Sequence, residues 1–254
     1  LPLLEALPHG ELISHLGGKP RSNRAISRII SIPEKPIPAS MIMFDLLESS
    51  SKDAENIHLN SLSLSNRFSD LGEYLIIHIG TSHHARLWPL DLIKLLFSLC
   101  QITQKTIVLT GFKQEDAYQN ALDQIVDEHR QKNKIVNLMS QTNLQELLEL
   151  VSNAKGIVSV DTGIIHWARL FLVPNISLMG QSDNKLFGVK SPYFKLSRSI
   201  ASEPLECQDK QTFHGIKINW VNTCARSECH LPSRLCFDGI NRQQIEKDFF
   251  ELFG

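Results

Sequence analysis

The stretch Val158-Ser159-Val160-Asp161-Thr162-Gly163-Ile164-Ile165-His166-Trp167-Ala168-Arg169 decides how the chain is read. Gly156 to Val160 is short, rich in β-branched residues and uncharged, the pattern of a strand buried on both faces of a parallel sheet. Asp-Thr-Gly breaks that run, and Ile164, Ile165, Ala168, Leu170 and Phe171 then recur at helical spacing until Pro174. Asp161, Thr162 and Gly163 therefore fall on a turn from the carboxyl end of a strand into a helix. Open α/β sheets bind ligands at such ends, and a helix start offers free N–H groups and partial positive charge to an anion. His166, in the first helical turn, can reach the same anion, and Asp161 can accept from sugar hydroxyls or turn amides. The same residues also fit an Asx-turn with an N-cap, which would leave His166 an ordinary surface residue.

Outward from this stretch, strand and helix alternate. Tyr74–Ile79, Thr106–Thr110, Ile135–Leu138 and Asn175–Met179 read as strands, and Leu90–Cys100 and Gln114–Glu128 as helices. Thr142 with Gln145 forms a candidate capping box, and the helix after it presents Leu144, Leu147, Leu148 and Val151 for burial. Asn241 reads as the N-cap of a closing helix that buries Ile245, Phe249 and Leu252. This alternation predicts βαβ units and a parallel sheet with helices on both faces. The loops Gly80–Pro89, Gly111–Glu115, Met139–Thr142, Asp161–Gly163 and Gly180–Gly188 then share one rim, the candidate site. After Lys190 the alternation fades.

The start of the chain is less regular. Leu3, Leu4, Ile13 and Leu16 suggest a short helix or strand remnant, and Gly17 to Arg24 reads as a solvated basic loop. Met41, Met43, Phe44 and Leu47 form a stripe suited to core packing, followed by a polar linker over 48–58. Leu1 in place of a starting Met reads as a cut start.

Composition excludes several classes. A net charge of −1 lacks the basic excess of general nucleic-acid binders. No apolar run reaches a membrane span, and no Gly-x-Gly-x-x-Gly follows any predicted strand, against a dinucleotide-dependent enzyme. Five cysteines in 254 residues argue for a reducing compartment over a disulfide scaffold. Four of them, Cys207, Cys224, Cys229 and Cys236, crowd the tail without a Cys-x-x-Cys pair. Zinc or iron ligation is open to four thiolates, but the loose spacing favours ordinary thiols, and no metal or cofactor is expected.

Three segments resemble one family, the lipopolysaccharide heptosyltransferases of glycosyltransferase family 9. His78-Ile79-Gly80-Thr81-Ser82 with Arg86-Leu87-Trp88-Pro89 is similar to the family's His-Pro-Gly-Ala-Ser and Lys-Arg-Trp-Pro loop. Asn137-Leu138 and Thr142-Asn143-Leu144-Gln145-Glu146-Leu147 match its Asn-Leu and Thr-Ser-Leu-x-Glu-Leu. Asp161-Thr162-Gly163 with His166, then Pro174 and Gly180-Gln181-Ser182-Asp183, match Asp-Thr-Gly-x-x-His, Pro and Gly-x-Thr-Asp. Cys236 and Ile240 fit the closing Cys-x-x-x-Ile.

The resemblance implies a Rossmann-like, nucleotide-sugar-binding domain of GT-B type over residues 73–254, preceded over 1–72 by a remnant of the acceptor domain and the crossover. It implies metal-independent, inverting transfer of a sugar, heptose from ADP-heptose, to a lipopolysaccharide core acceptor. The protein would be a cytoplasmic monomer with peripheral association at the inner membrane. Carried over, Thr81, Ser82, Asp161, Thr162, Gly163 and His166 would bind the donor, and Arg86 at the family's lysine position would neutralise the leaving diphosphate. Arginine keeps the charge but spreads it over a planar fork, which changes the geometry required. The family's Gly-Asp-x-x-x-Thr-Leu-Pro loop, source of its catalytic base region, has no counterpart in residues 1–73. The other reading is therefore a non-catalytic nucleotide-sugar-binding module.

Overall fold

The computed structural model describes residues 13–14, 28–29, 34–36, 38–39, 59–80, 84–113, 116–189, 194–213, 216–231 and 235–254. Its centre is a sheet of six strands: β1 Tyr74–His78, β2 Thr106–Thr110, β3 Ile135–Asn137, β4 Gly156–Val160, β5 Asn175–Met179 and β6 Ser197–Ala201. Every neighbouring pair is parallel, and the order across the sheet is β3-β2-β1-β4-β5-β6. The chain thus winds outward from β1 to one edge, then returns to lay β4 on the other side of β1. That reversal is the switch point of a doubly wound sheet, where loops diverge and leave a crevice.

Seven α-helices described in full flank it: α1 Leu90–Thr103, α2 Ala117–His129, α3 Leu144–Asn153, α4 Gly163–Leu170, α5 Asn184–Phe187, α6 Leu235–Asp238 and α7 Arg242–Phe253. Side chains alternate across each strand, so Leu75 and Ile77 pack with α1, α2 and α7, while Tyr74 and Ile76 pack with α3 and α4. Both faces being covered, β1, β2, β4 and β5 carry apolar residues on both and no acidic, Lys or Arg side chain, and the buried polar residues among them, such as Ser159, Asn175 and Ser177, are hydrogen-bonded. Each Leu or Ile so buried contributes roughly 1.5–3 kcal/mol against leaving it in water. Two glycines allow β1 and β2 to end in contact. A Cβ on Gly80 would lie 2.4 Å from Phe112 N, and Gly111, at φ +120°, would meet Gly80 N at 2.2 Å.

Three expectations change. The alternation does not stop at β5: Ser197–Ala201 adds a sixth parallel strand. Its sequence is polar because it is a sheet edge, where Ser197 and Ile200 are the buried positions. The capping box of α3 is Asn143 with Glu146, not Thr142 with Gln145. Asn143 Oδ1 accepts from Glu146 N and Glu146 Oε2 from Asn143 N, both at 2.9 Å. Of the four residues expected to be buried, Leu144 is 67% exposed, Leu147 and Leu148 are half-buried and Val151 lies in the core, joined there by Leu150. In α7, capped by Asn241 as expected, Phe253 is buried and Leu252 only half-buried.

The segment after β6 is built mostly of loops. Thr212–Phe213 pairs antiparallel with Ile216–Lys217, and Lys210 bridges Thr223. Leu186 of α5 joins Phe213, Ile218 and Val221 in a small separate cluster. Near the start of the chain Ile13–Ser14 pairs with Arg28–Ile29. The stripe Met41–Leu47 and the loop Gly17–Arg24 lie outside the described residues.

Candidate functional site

At the switch point β4 ends beside β1, with Ser159 opposite His78. Thr162 is extended, at φ −141° and ψ 171°, as an N-cap must be, yet its hydroxyl caps nothing. It lies 3.1 Å from Ser159 Oγ, which also reaches His78 O at 3.4 Å. The Asx-turn and side-chain cap open to this sequence are therefore not what forms. Among the described residues the first N–H groups of α4 have no side-chain cap, and a Cβ built on Gly163 meets no atom within 4 Å. An uncapped helix start facing open space is a ready seat for an anion.

The buried side of α4 is Ile164, Ile165 and Ala168, which turns His166 outward. Arg169, one turn on, donates from Nη1 to His166 Nδ1 at 3.4 Å, since a guanidinium has donors only. His166 Nδ1 is then the acceptor, and Nε2 carries the proton offered to a ligand. Burial, and then the Arg169 charge, hold the His166 pKa below its ordinary value, so the ring is neutral near pH 7 and gives a hydrogen bond without a charge. Arg169 escaped the sequence reading, although its position three residues after His166 was the available signal. Its Nε and Nη2 are buried without a hydrogen-bond partner among the described residues. Burial lowers its pKa to about 10, opposed by the charge of Asp161.

Arg86 sits on the loop between β1 and α1. The motif around it is an anchor: Ala85, Leu87 and Trp88 are all buried, and Pro89 precedes the first turn of α1. Ala85 N donates to Ser227 O at 3.0 Å, and Arg86 Nε donates to Gln181 Oε1 at 3.0 Å. Gln181 follows β5, and β4 lies between β1 and β5 in the sheet. The Arg86–Gln181 bond thus links the two loops that flank the end of β4. Gln181 is a second residue whose role the sequence did not reveal. Thr81 and Ser82 lie outside the described residues, as does Glu115.

His78 closes β1. Its ring pairs through Nδ1 with Thr110 Oγ1 at 2.9 Å, and burial pushes its pKa down to about 4. It is a neutral structural link between β1 and β2.

The four tail cysteines are brought together, around one small cavity behind Ala85 and Gln181. None forms a disulfide, and among the described residues no three His, Cys, Asp or Glu side chains are placed to hold a metal ion. Burial, with the neighbouring thiols adding to it, raises the Cys236 pKa to about 12, so that sulfur stays protonated. No helix among the described residues is long and apolar enough to cross a membrane.

Fold and rim together define a doubly wound α/β protein whose Arg86 loop and uncapped helix start follow the two strands that flank the switch point. Its family is fixed by sequence: a model of glycosyltransferase family 9 (heptosyltransferase) matches residues 18–217, and the chain belongs to that family. Among solved structures it is similar to E. coli ADP-heptose lps heptosyltransferase II, at 20% identity and TM-score 0.51, covering 76% of this chain and 53% of that one. E. coli heptosyltransferase WaaC with ADP gives 21% identity and TM-score 0.50 over 71% and 55%. The family 9 glycosyltransferase of Veillonella parvula gives 15% identity and TM-score 0.55 over 90% and 63%. At these identities the likeness is one of fold. The chain spans between 53% and 63% of the length of these three proteins. No curated protein matches it in sequence.

Proposed function

We propose that this chain is the nucleotide-sugar-binding part of a heptosyltransferase-type glycosyltransferase, with ADP-heptose as donor and a lipopolysaccharide core as acceptor. The observation that carries the reading is the uncapped start of α4 beside a fixed cation loop at the switch point. A solved relative, E. coli WaaC, holds ADP, which supports the same ligand class here.

In the proposed reaction an acceptor hydroxyl oxygen attacks the anomeric carbon from the face opposite the diphosphate and gives up its proton to a general base, or to water where the chain supplies no base. The carbon–oxygen bond to the diphosphate breaks, its electron pair leaves with the phosphate oxygen, and the configuration inverts. Thr162, Gly163 and His166, with Thr81 and Ser82, hold the diphosphate, and Asp161 holds sugar hydroxyls. Arg86 meets the charge that grows on the leaving group, so it works most strongly as the bond breaks. Neither a metal nor a cofactor enters this scheme. Residues 73–254 form the donor domain and 1–72 the end of the acceptor domain with the crossover. The protein acts as a monomer in the cytoplasm, at the surface of the inner membrane.

A hydroxyl is a weak nucleophile, and a positioned base is worth a factor of about 100 to 10,000. Residues 1–73 carry no Gly-Asp loop to supply one, so the chain by itself binds the donor but transfers poorly. Calorimetry against ADP is the test. The 254-residue chain should bind, and His166→Ala should weaken binding by about 1–2 kcal/mol, the scale of a hydrogen bond to an anionic acceptor. Arg86→Ala should cost about 1.5–3 kcal/mol, the range for a charged donor. Absence of binding, or unchanged affinity in both variants, would refute the donor reading. Abundant product from ADP-heptose and heptose-deficient core, seen by mass spectrometry, would refute the weak-transfer claim alone.

A further inference from the structure

An arginine where the family has lysine raises a geometric question. A lysine ammonium is a compact charge with rotatable donors and works in many orientations. A guanidinium is a flat fork, useful only when its plane is set. Something in this chain has to set it.

Gln181 has the right surroundings. It is 5% exposed, and every polar atom of the residue other than its own N–H has a partner in the structure. Oε1 accepts from Arg86 Nε at 3.0 Å. Nε2 donates to Arg226 O at 3.0 Å and lies 3.7 Å from Cys224 Sγ, while the backbone carbonyl accepts from Cys224 N at 3.0 Å. A flipped amide would set its NH2 against the Arg86 N–H and its oxygen against the Arg226 carbonyl, so the network fixes one orientation. The support continues into the tail. Arg226 Nη2 pairs with Asp209 Oδ2 at 2.8 Å, and its Nη1 donates to Cys207 O at 2.6 Å. Gln208 Nε2 donates to Gly180 O at 2.9 Å beside it. A buried amide without partners would be costly, whereas this one is satisfied by a chain of contacts that ends on Arg86.

We propose that Gln181 is a positioning residue for Arg86. It fixes the guanidinium plane through Nε and leaves the two Nη groups to face the anion at the rim. The inference rests on the donor reading for what that anion is, a nucleoside diphosphate, but not for the positioning itself. It also gives the loop-built tail a task. Asp209, Arg226 and Gln181 form a strut from the tail to the cation loop. A lysine at the same place would need no such strut, so the role is specific to arginine.

The test is a double-mutant cycle read by ADP calorimetry and by the Arg86 Nε–H signal in 15N spectra, assigned by its loss in Arg86→Lys. Gln181→Met keeps the bulk and removes the acceptor. With Arg86 present it should lower ADP affinity about tenfold, the scale of a charged hydrogen bond, and in the Arg86→Lys background less than about twofold. The protected Nε–H signal should collapse into fast exchange in Gln181→Met. Equal losses in both backgrounds would mean that Gln181 merely holds its loop, and would overturn the proposal. So would a protected Nε–H signal that survives Gln181→Met. If the wild-type chain binds no ADP, the donor reading fails, and the Nε–H signal alone decides whether Gln181 positions Arg86.

Discussion

The two loops that bracket the switch point are built in opposite ways. The described part of the loop carrying Arg86 is tied down at three points, by Trp88 in the core, by Ala85 on Ser227 and by Arg86 on Gln181. The turn carrying Asp161, Thr162 and Gly163 is left open, with no side-chain cap and empty space over Gly163. The difference follows from what each loop offers. Backbone N–H groups at a helix start are already aimed by the helix, so capping them would only remove them from use. A long cationic side chain has no such frame, and its rotamers must be restricted by neighbours before it can meet a ligand at low entropic cost.

The contrast can be broken most severely at Trp88. It is wholly buried, and Trp88→Ala should destabilise the chain by about 3–5 kcal/mol, as deletion of a large core aromatic does. Denaturant unfolding measures this, and a loss under 1 kcal/mol would show that the fixed loop has no such anchor. Next comes pH. His78 stands where both loops begin, its carbonyl reached by Ser159 Oγ and its ring by Thr110. Its folded pKa, about 4, is below the ordinary 6.5, so the unfolded chain binds the extra proton. Stability is therefore unaffected above pH 6.5 and falls as pH drops from 6.5 towards 4, by up to roughly 3 kcal/mol from this group. Unfolding curves at several pH values should show that slope, and His78→Gln should flatten it; an unchanged slope in the variant would assign it to other groups. The smallest effect sharpens the open side. Gly163→Ala places a methyl where the described residues have no atom within 4 Å, so stability should hold or rise by up to about 0.5 kcal/mol. The same methyl would stand in the path of a bound anion and should weaken ADP binding by about 1 kcal/mol. Unchanged ADP affinity would place the ligand elsewhere on the rim.

Much of this architecture is legible in the sequence because β1, β2, β4 and β5 are buried on both faces, and short runs rich in apolar residues and free of acidic, Lys and Arg side chains are what such burial favours. The turn at Asp161 is legible for the same reason, since a sharp polar break ends such a run. β6 is not, because an edge strand of Ser-Arg-Ser-Ile-Ala has no apolar period to detect. The start of α3 shifts by one residue because Thr142 and Asn143 are both good caps, and only the reach of Glu146 decides between them. Arg86 could be singled out as a charge on a rim loop. Its partner could not, since Gln181 lies 95 residues away and a buried glutamine has no sequence signature of its own.

The order of the strands has a kinetic consequence. β4 is laid on β1 only after two complete helix–strand excursions, and Leu75 of β1 finds Gly156 of β4 some 81 residues later. The crevice does not exist until that distant pairing has closed, and Arg86 is not held until β5 brings up Gln181. Loop closure over such spans is slow compared with forming a helix or a hairpin. Partly folded chains with native α1, α2 and the β1–β2–β3 half of the sheet would therefore have no rim to offer a ligand. Recovery of nucleotide binding during refolding should trail the recovery of helical signal, which makes the ligand a reporter of the last long-range pairing and not of secondary structure.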